Sequence, residues 1–156
     1  MMLSDELLST FQRLMAEAEA AGESDANAMN LATTQADGRV SSRIVLLKGL
    51  DPRGFTFYTN LDSDKGRQLR AHPRAALCFH WKRLRDGVQV RVEGQVEPVT
   101  DEAADAYFAT RPRESQLGAW ASLQSQTLPD RATFEQRFAE VEQRYANAPV
   151  PRPPHW

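Results

Sequence analysis

Four stretches of the chain place basic, hydroxyl and amide side chains together in a way that a plain hydrophobic core does not require. The first is Ser41-Ser42-Arg43-Ile44-Val45-Leu46-Leu47-Lys48. On a strand, Arg43 and Lys48 lie an odd number of positions apart and point to opposite faces, so they could serve two different anions. A solvated edge strand guarded by basic residues accounts for the same pattern. The second is Tyr58-Thr59-Asn60-Leu61-Asp62-Ser63-Asp64-Lys65, where a strand runs into a polar loop that opens a helix. Free backbone N–H groups beside a lysine suit a phosphate; a capped surface helix with a solvated Lys65 is the plainer account. The third runs from Tyr107 to Trp120. Tyr107 and Arg111 are four apart and share a helix face, Pro112 breaks the helix, and a second short helix starting near Glu114 brings Ser115 round. A phenol, a guanidinium and a hydroxyl that converge make a phosphate trap, because arginine offers a rigid fork of donors; a proline-kinked surface corner is the alternative. The fourth is Ser122-Leu123-Gln124-Ser125-Gln126, whose amides could read a polar ring edge or a phosphate, or simply solvate a loop.

The elements that must position these stretches follow from periodicity. Residues 4–20 read as a helix capped by Ser4, with Leu7, Phe11, Leu14 and Met15 recurring along one stripe. Gly22 and a polar run then end it. Residues 1–27 are therefore an N-terminal helix and linker, and 28–156 the main domain. From Ala28 to Pro98 the pattern is that of strands: Met29–Thr34, Arg39–Lys48, Gly54–Thr59, Arg74–Lys82 and Gly87–Val96. Turns are expected at Ala36-Asp37-Gly38, over Gly49–Gly54 and at Arg85-Asp86-Gly87. A short helix over about Asp64–Ala71 interrupts the strands. After Pro98 the chain turns helical, from a Thr100 cap to about Thr110, and again over 130–146 with Phe134, Phe138, Val141 and Tyr145 on one stripe. Closely spaced strands followed by helices predict an α+β protein: a small antiparallel barrel with helices outside it and at one end.

Bulk properties narrow the chemistry. The chain has 156 residues, 41% of them hydrophobic and 26% charged, with a formal net charge of −2. That balance gives no general affinity for nucleic acid or anionic membrane, so any bound phosphate must be held by local basic clusters. No stretch approaches the roughly 20 apolar residues of a membrane span, and acids at Asp5 and Glu6 stand where a signal peptide would carry lysines. The single cysteine, Cys78, lies in an apolar run and reads as a small buried hydrophobe, in keeping with a reducing cytoplasm. His72, His80 and His155 have no ligand-like spacing, so no metal site is expected. There is no glycine-rich phosphate loop or dinucleotide fingerprint. Without an acid–base pair in view, chemistry carried by a bound cofactor is the natural alternative.

Taken in order, Ser42–Lys48, Phe57-Tyr58-Thr59-Asn60 and Arg111–Trp120 resemble the pyridoxamine 5′-phosphate oxidase family, with the match running from about Asn30 to Trp156. The resemblance implies an FMN-binding antiparallel split β-barrel with flanking helices, a homodimer with two flavins at the subunit interface. It implies that Arg43 and Lys65 hold the FMN phosphate with Thr59, and that backbone at Ile44, Val45 and Leu46, together with Tyr58, Gln89, Gln124 and Ser125, lines the rest of the flavin. Lys48, Tyr107, Arg111 and Ser115 would grip the substrate phosphate. The implied reaction oxidises pyridoxamine or pyridoxine 5′-phosphate to pyridoxal 5′-phosphate, with dioxygen as acceptor and hydrogen peroxide as product.

Family members continue past the position of Trp156 with further strands, an aromatic flavin contact and an Arg-x-His motif near the substrate ring; this sequence has neither, and its ending reads as a truncation. Three readings therefore stand at this point: an oxidase of B6 phosphates, a flavin- or pyridoxal-phosphate-binding protein with little turnover, and another split-barrel flavin or deazaflavin reductase. The Arg111–Trp120 stretch argues against the third.

Overall fold

The computed structural model describes residues 2–156, which divide into two compact units. The first comprises residues up to Tyr58 together with Ala71–Val96; the second comprises Thr59–Arg70 and Glu97–Trp156.

In the first unit, helix α1 (Asp5–Ala20) begins at Ser4, whose side chain accepts from the Leu7 N–H at 3.2 Å. Strands β1 (Ala28–Thr34), β2 (Val40–Leu46), β5 (Arg74–Trp81) and β6 (Val88–Gln95) form an antiparallel sheet in the order β2-β1-β5-β6. Strands β3 (Gly49–Asp51) and β4 (Gly54–Thr56) form a separate hairpin. Alternation sorts the sheet's side chains, since successive residues of a strand face opposite ways. Met29, Leu31 and Thr33 of β1 are buried, as are Val45 of β2 and Leu77, Phe79 and Trp81 of β5. Phe11 of α1 lies at the centre of an aromatic cluster, its ring 5.0 Å from Phe55, 5.1 Å from Phe79 and 5.7 Å from Trp81. The buried Trp81 indole meets the need for a polar partner by donating to the Ala26 carbonyl at 2.7 Å.

Three local expectations change. Gly49–Asp51 forms β3 rather than part of a turn, and the strand expected to reach Thr59 ends at Thr56. Pro52 has a fixed φ and no N–H, and Asp51 accepts from the Arg53 N–H at 2.7 Å. The reversal is thus confined to two residues, and a three-residue partner can support no longer ladder. Leu7, expected on the buried stripe of α1, is exposed, while Phe11 and Ala18 carry the burial.

The second unit contains α2 (Asp64–Ala71), whose last residue is counted with the first unit, and three further helices: α3 (Asp101–Thr110), α4 (Arg113–Ala121) and α5 (Arg131–Arg144). Thr100 caps α3 by accepting from Ala103 N–H at 3.3 Å, and Asp130 caps α5 by accepting from Thr133 N–H at 2.7 Å. Phe108, Leu117, Val141 and Val150 form a small core, with Phe138, Tyr145 and Trp156 against it. The proline-rich end is packed rather than loose. Trp120 donates to the Pro151 carbonyl at 2.8 Å, the Leu61 N–H donates to the His155 carbonyl at 2.6 Å, and Pro153 is fully buried.

Candidate functional site

Within the first unit, the side chains implied for flavin binding divide between the two faces of the sheet. Arg43 belongs to the inward set of β2; its Nη1 donates to Thr33 Oγ1 at 2.6 Å, to the Leu31 carbonyl at 3.1 Å and to the Ser41 carbonyl at 3.2 Å. The guanidinium is thereby aimed by β1 rather than left to solvent. Val45 points into the core, so only its backbone is open to a ligand. Ile44 and Leu46 point outward and are exposed at 63% and 40%. Gln89 also lies outward on β6, opposite His80. Arg43 and Gln89 therefore stand on opposite faces of one sheet. Tyr58 is half-buried just beyond β4. Lys48 falls after β2 ends, but the alternation of exposure carries on, with Leu47 buried and Lys48 exposed. It lines a cleft of about 520 Å³ together with Gln12, Met15, Glu19 and Asn27.

In the second unit, the loop after Thr59 is built as a rigid lead-in to α2. Asn60 Oδ1 accepts from the Asp62 N–H at 2.8 Å, and the buried Ser63 hydroxyl donates to the Asn60 carbonyl at 2.6 Å. Gly66 is required here: a Cβ would sit 2.4 Å from the Leu61 carbonyl oxygen, so no other residue fits without moving the loop. Arg67 donates to the Asp62 carbonyl, and Arg70 to the Leu61 carbonyl at 2.5 Å, which secures the loop from outside. Lys65 then lies in the first turn of α2 with its Nζ 2.8 Å from Gln124 Oε1, and the Asp64 N–H donates to Ser125 Oγ at 3.1 Å. Ser125 takes the left-handed conformation (φ 65°) to make that contact. Residues some 60 positions apart, singled out for the same ligand, are brought to one place: Lys65, Gln124 and Ser125.

The Tyr107–Ser115 stretch is built as its spacing predicts. Helix α3 ends at Thr110, Arg111 is extended, and α4 starts at Arg113, which puts Ser115 in the first turn of the new helix. Gln116, buried, donates to the Phe108 carbonyl at 2.9 Å and fixes the bend between the helices. The Arg111 guanidinium lies over the Trp156 ring at 4.8 Å and beside Phe108 at 5.7 Å. Tyr107 stacks on the same indole, 5.9 Å between centroids and 6° between planes. Among the described residues, the buried Nη1 of Arg111 has no hydrogen-bond partner. Burial pushes the pKa of this group down, partly countered by Tyr107. A desolvated cation held between aromatic faces, with an unused donor, is arranged to receive an anion.

Trp156 is set in place by Arg152. That side chain donates to Asp105 Oδ1 at 2.6 Å, to Asp101 Oδ1 at 2.8 Å and to the Trp156 carbonyl at 2.7 Å. The hydrogen bond to Asp105 raises its pKa further, against desolvation, with Asp101 adding to it. Sequence reasoning passed over Arg152, Trp156 and Gln116. The only signal for the first was a pair of acids at i and i+4 on α3, roughly 50 residues away along the chain.

The model of the family described as pyridoxamine 5′-phosphate oxidase matches residues 15–145. The chain belongs to this family. A relative from Sphingopyxis alaskensis, named pyridoxine/pyridoxamine 5′-phosphate oxidase, is 59% identical over 99% of this chain and 70% of its own length. A relative of the same name from Azorhizobium caulinodans is 58% identical over 98% of this chain and 71% of its own. Among solved structures, PhzG from Burkholderia lata in complex with tetrahydrophenazine-1-carboxylic acid superposes with a TM-score of 0.87 at 31% identity, covering 94% of this chain and 71% of that one. A pyridoxamine 5′-phosphate oxidase-related, FMN-binding protein from Nostoc punctiforme shares the fold, with a TM-score of 0.68 at 20% identity over 86% of this chain and 73% of the other. The antiparallel sheet and its five helices are thus the α+β split-barrel fold of this family. No helix of the described residues is long and apolar enough to cross a membrane.

Proposed function

We propose that the chain binds FMN and oxidises pyridoxamine and pyridoxine 5′-phosphates to pyridoxal 5′-phosphate, with dioxygen as acceptor and hydrogen peroxide as product. Close relatives of that name support the reaction class. The observation that carries the substrate is the half-buried Arg111, its Nη1 without a partner and its guanidinium held over Trp156, on which Tyr107 also stacks. A phosphate ester supplies the missing acceptor. Ser115 and the open N–H groups in the first turn of α4 would add donors to it, and Lys48 a further cation.

For the cofactor, the donor chemistry fits a flavin phosphate. Lys65 follows a loop rigidified by Ser63, Arg67 and Arg70, the Ser125 hydroxyl accepts from the Asp64 N–H at the start of the same helix, and Arg43 is aimed by Thr33. Thr59 would donate to the same phosphate, while Ile44–Leu46 backbone, Tyr58, Gln89 and Gln124 would line the ring system. Bound FMN would supply hydride acceptance from C4′ of the substrate and delivery of the electrons to dioxygen. The residues named for each phosphate would hold that end of its molecule; positioning of reactants can supply roughly 7–11 kcal/mol of a barrier.

A homodimer belongs to this reading. Val40, Ile44 and Leu46 line the outer side of edge strand β2, exposed at 69%, 63% and 40%, and a second copy would cover them. Arg43 and Gln89, on opposite faces of one sheet, cannot both meet the same flavin from one chain, so Gln89 would serve the flavin of the partner copy. A lone cysteine is in keeping with a cytoplasmic enzyme.

The test is anaerobic mixing of flavin-loaded protein with pyridoxine 5′-phosphate. Bleaching of the yellow flavin band is the expected result. A flavin that stays oxidised sinks the oxidase reading, and extraction of FAD, or failure to bind flavin at all, sinks the cofactor.

A further inference from the structure

The clamp on Trp156 gives a use to residues outside the proposed ligand shell. Asp101 and Asp105 sit one turn apart on α3, and like charges at that spacing repel on an isolated helix. Arg152 resolves this by bridging both, with Nε on Asp105 and Nη2 on Asp101. Its remaining arm, Nη1, reaches the Trp156 carbonyl at 2.7 Å. The guanidinium is mostly buried, with 14% of its side-chain surface exposed, whereas the two acids are open to solvent. A planar fork that makes three directed contacts is rigid in a way a single surface ion pair is not. The indole fixed in this way faces Tyr107 with its flat side and Phe108 edge-on at 5.0 Å, and carries the Arg111 guanidinium. The chain of contacts runs from α3 acids through Arg152 to Trp156, and back to the last turn of α3 and its cap residue.

We propose that Arg152 is a positioning residue for phosphate recognition: by locking Trp156 against Tyr107 and Arg111, it presets the position of the guanidinium that receives the substrate phosphate. Arg152 touches no ligand itself. Its effect on binding passes through Arg111, and is therefore selective for the phosphate group. This inference rests on the reading of Arg111 as a phosphate ligand, and the measurement separates the two.

Flavin-loaded wild-type protein, Arg152→Gln, Arg111→Ala and the double variant are titrated with pyridoxal 5′-phosphate and, as the phosphate-free control, pyridoxal. Arg152→Gln is expected to weaken pyridoxal 5′-phosphate about five- to tenfold, within the usual range for residues coupled through contact. Pyridoxal affinity and flavin content should stay at wild-type values. In the Arg111→Ala background the same replacement should have no further effect, which a merely structural role would not produce. Arg152→Lys should recover part of the loss, since a point charge can meet one acid but not all three acceptors. If Arg152→Gln does not fold, Asp105→Asn removes one arm of the clamp at an exposed position and should act in the same direction with smaller amplitude. Equal losses in the wild-type and Arg111→Ala backgrounds, or wild-type affinity in Arg152→Gln alongside a weakened Arg111→Ala, would overturn the positioning role alone. An Arg111→Ala protein that binds pyridoxal 5′-phosphate normally would remove the underlying phosphate assignment, and this inference with it.

Discussion

Replacing Arg111 by alanine should separate ligand binding from stability. The side chain is half-buried and has two opposing contributions in the unliganded protein. Its contacts over Trp156 at 4.8 Å and Phe108 at 5.7 Å stabilise by about 0.5–2 kcal/mol, the lower part of that range suiting a partly exposed group. Its buried, unpartnered Nη1 costs about 1–3 kcal/mol in lost solvation. The two nearly cancel, so Arg111→Ala should leave the folding free energy within about 1 kcal/mol of the starting protein. Binding has no such cancellation. Loss of one charge-assisted contact to a phosphate removes about 1.5–3 kcal/mol, or about 10- to 150-fold in affinity. Denaturant unfolding and a titration with pyridoxal 5′-phosphate, read alongside the FMN content, give the three quantities needed. A variant that unfolds much more easily yet binds the phosphate unchanged would show that Arg111 holds the α3–α4 corner together and nothing more. A variant that loses flavin but keeps substrate affinity would mean the two anion sites have been assigned the wrong way round.

The other sites allow shorter tests. Lys65→Ala should weaken FMN by about 1.5–3 kcal/mol without altering the preference for phosphorylated substrate; flavin retention on dialysis measures it, and unchanged retention removes Lys65 from the cofactor site. Sedimentation at micromolar concentration should give twice the chain mass, and Ile44→Asp, which puts a charge on the exposed side of β2, should shift it toward the monomer. A tightly flavin-binding monomer would contradict the dimer. Glu17, bound by Arg13 at 2.6 Å and Arg85 at 2.9 Å, has a pKa held below the ordinary 4.5, with the Arg13 hydrogen bond the larger cause. A depressed carboxylate stabilises the fold above its unfolded pKa and loses that contribution as pH falls through the folded value. The advantage of the parent over Glu17→Gln should thus be present near neutrality, small because the pair is exposed, and absent in strong acid; an advantage that survives in acid would refute the assignment.

Much of the fold was legible because it is written in short-range patterns. Strand-rich composition marked the segments that form β1 and β5, and Ser4 and Thr100 announced two helix starts with the contacts that cap them. The failures came where a distant partner decides. Whether Gly49–Asp51 is turn or strand depends on what lies opposite, and the β3–β4 ladder is too short to leave a periodic trace. Leu7 shares the spacing of Phe11 but sits a turn too early to meet the aromatic cluster.

The candidate site divides along the same line. Tyr107, Arg111, Pro112 and Ser115 could be read together because one helix face, one break and one new helix start place them, all within nine residues. Arg152 could not be read, because a proline-flanked arginine says nothing about two acids roughly 50 residues upstream until the chain has folded back. The physical difference is one of how many conformational choices stand between the residues. Helical spacing fixes neighbours through backbone hydrogen bonds alone, whereas the Arg152–Asp101–Asp105 junction depends on the packing of Val150 and Pro153 into the second unit's core before the guanidinium can meet either acid. The residues proposed to meet the substrate phosphate at the α3–α4 corner are thus set by local geometry, while the residue proposed to orient them is set by tertiary packing. Arg111 needs both: its place at the end of α3 comes from sequence spacing, and the aromatic surface under its guanidinium from an indole roughly 45 residues further along the chain.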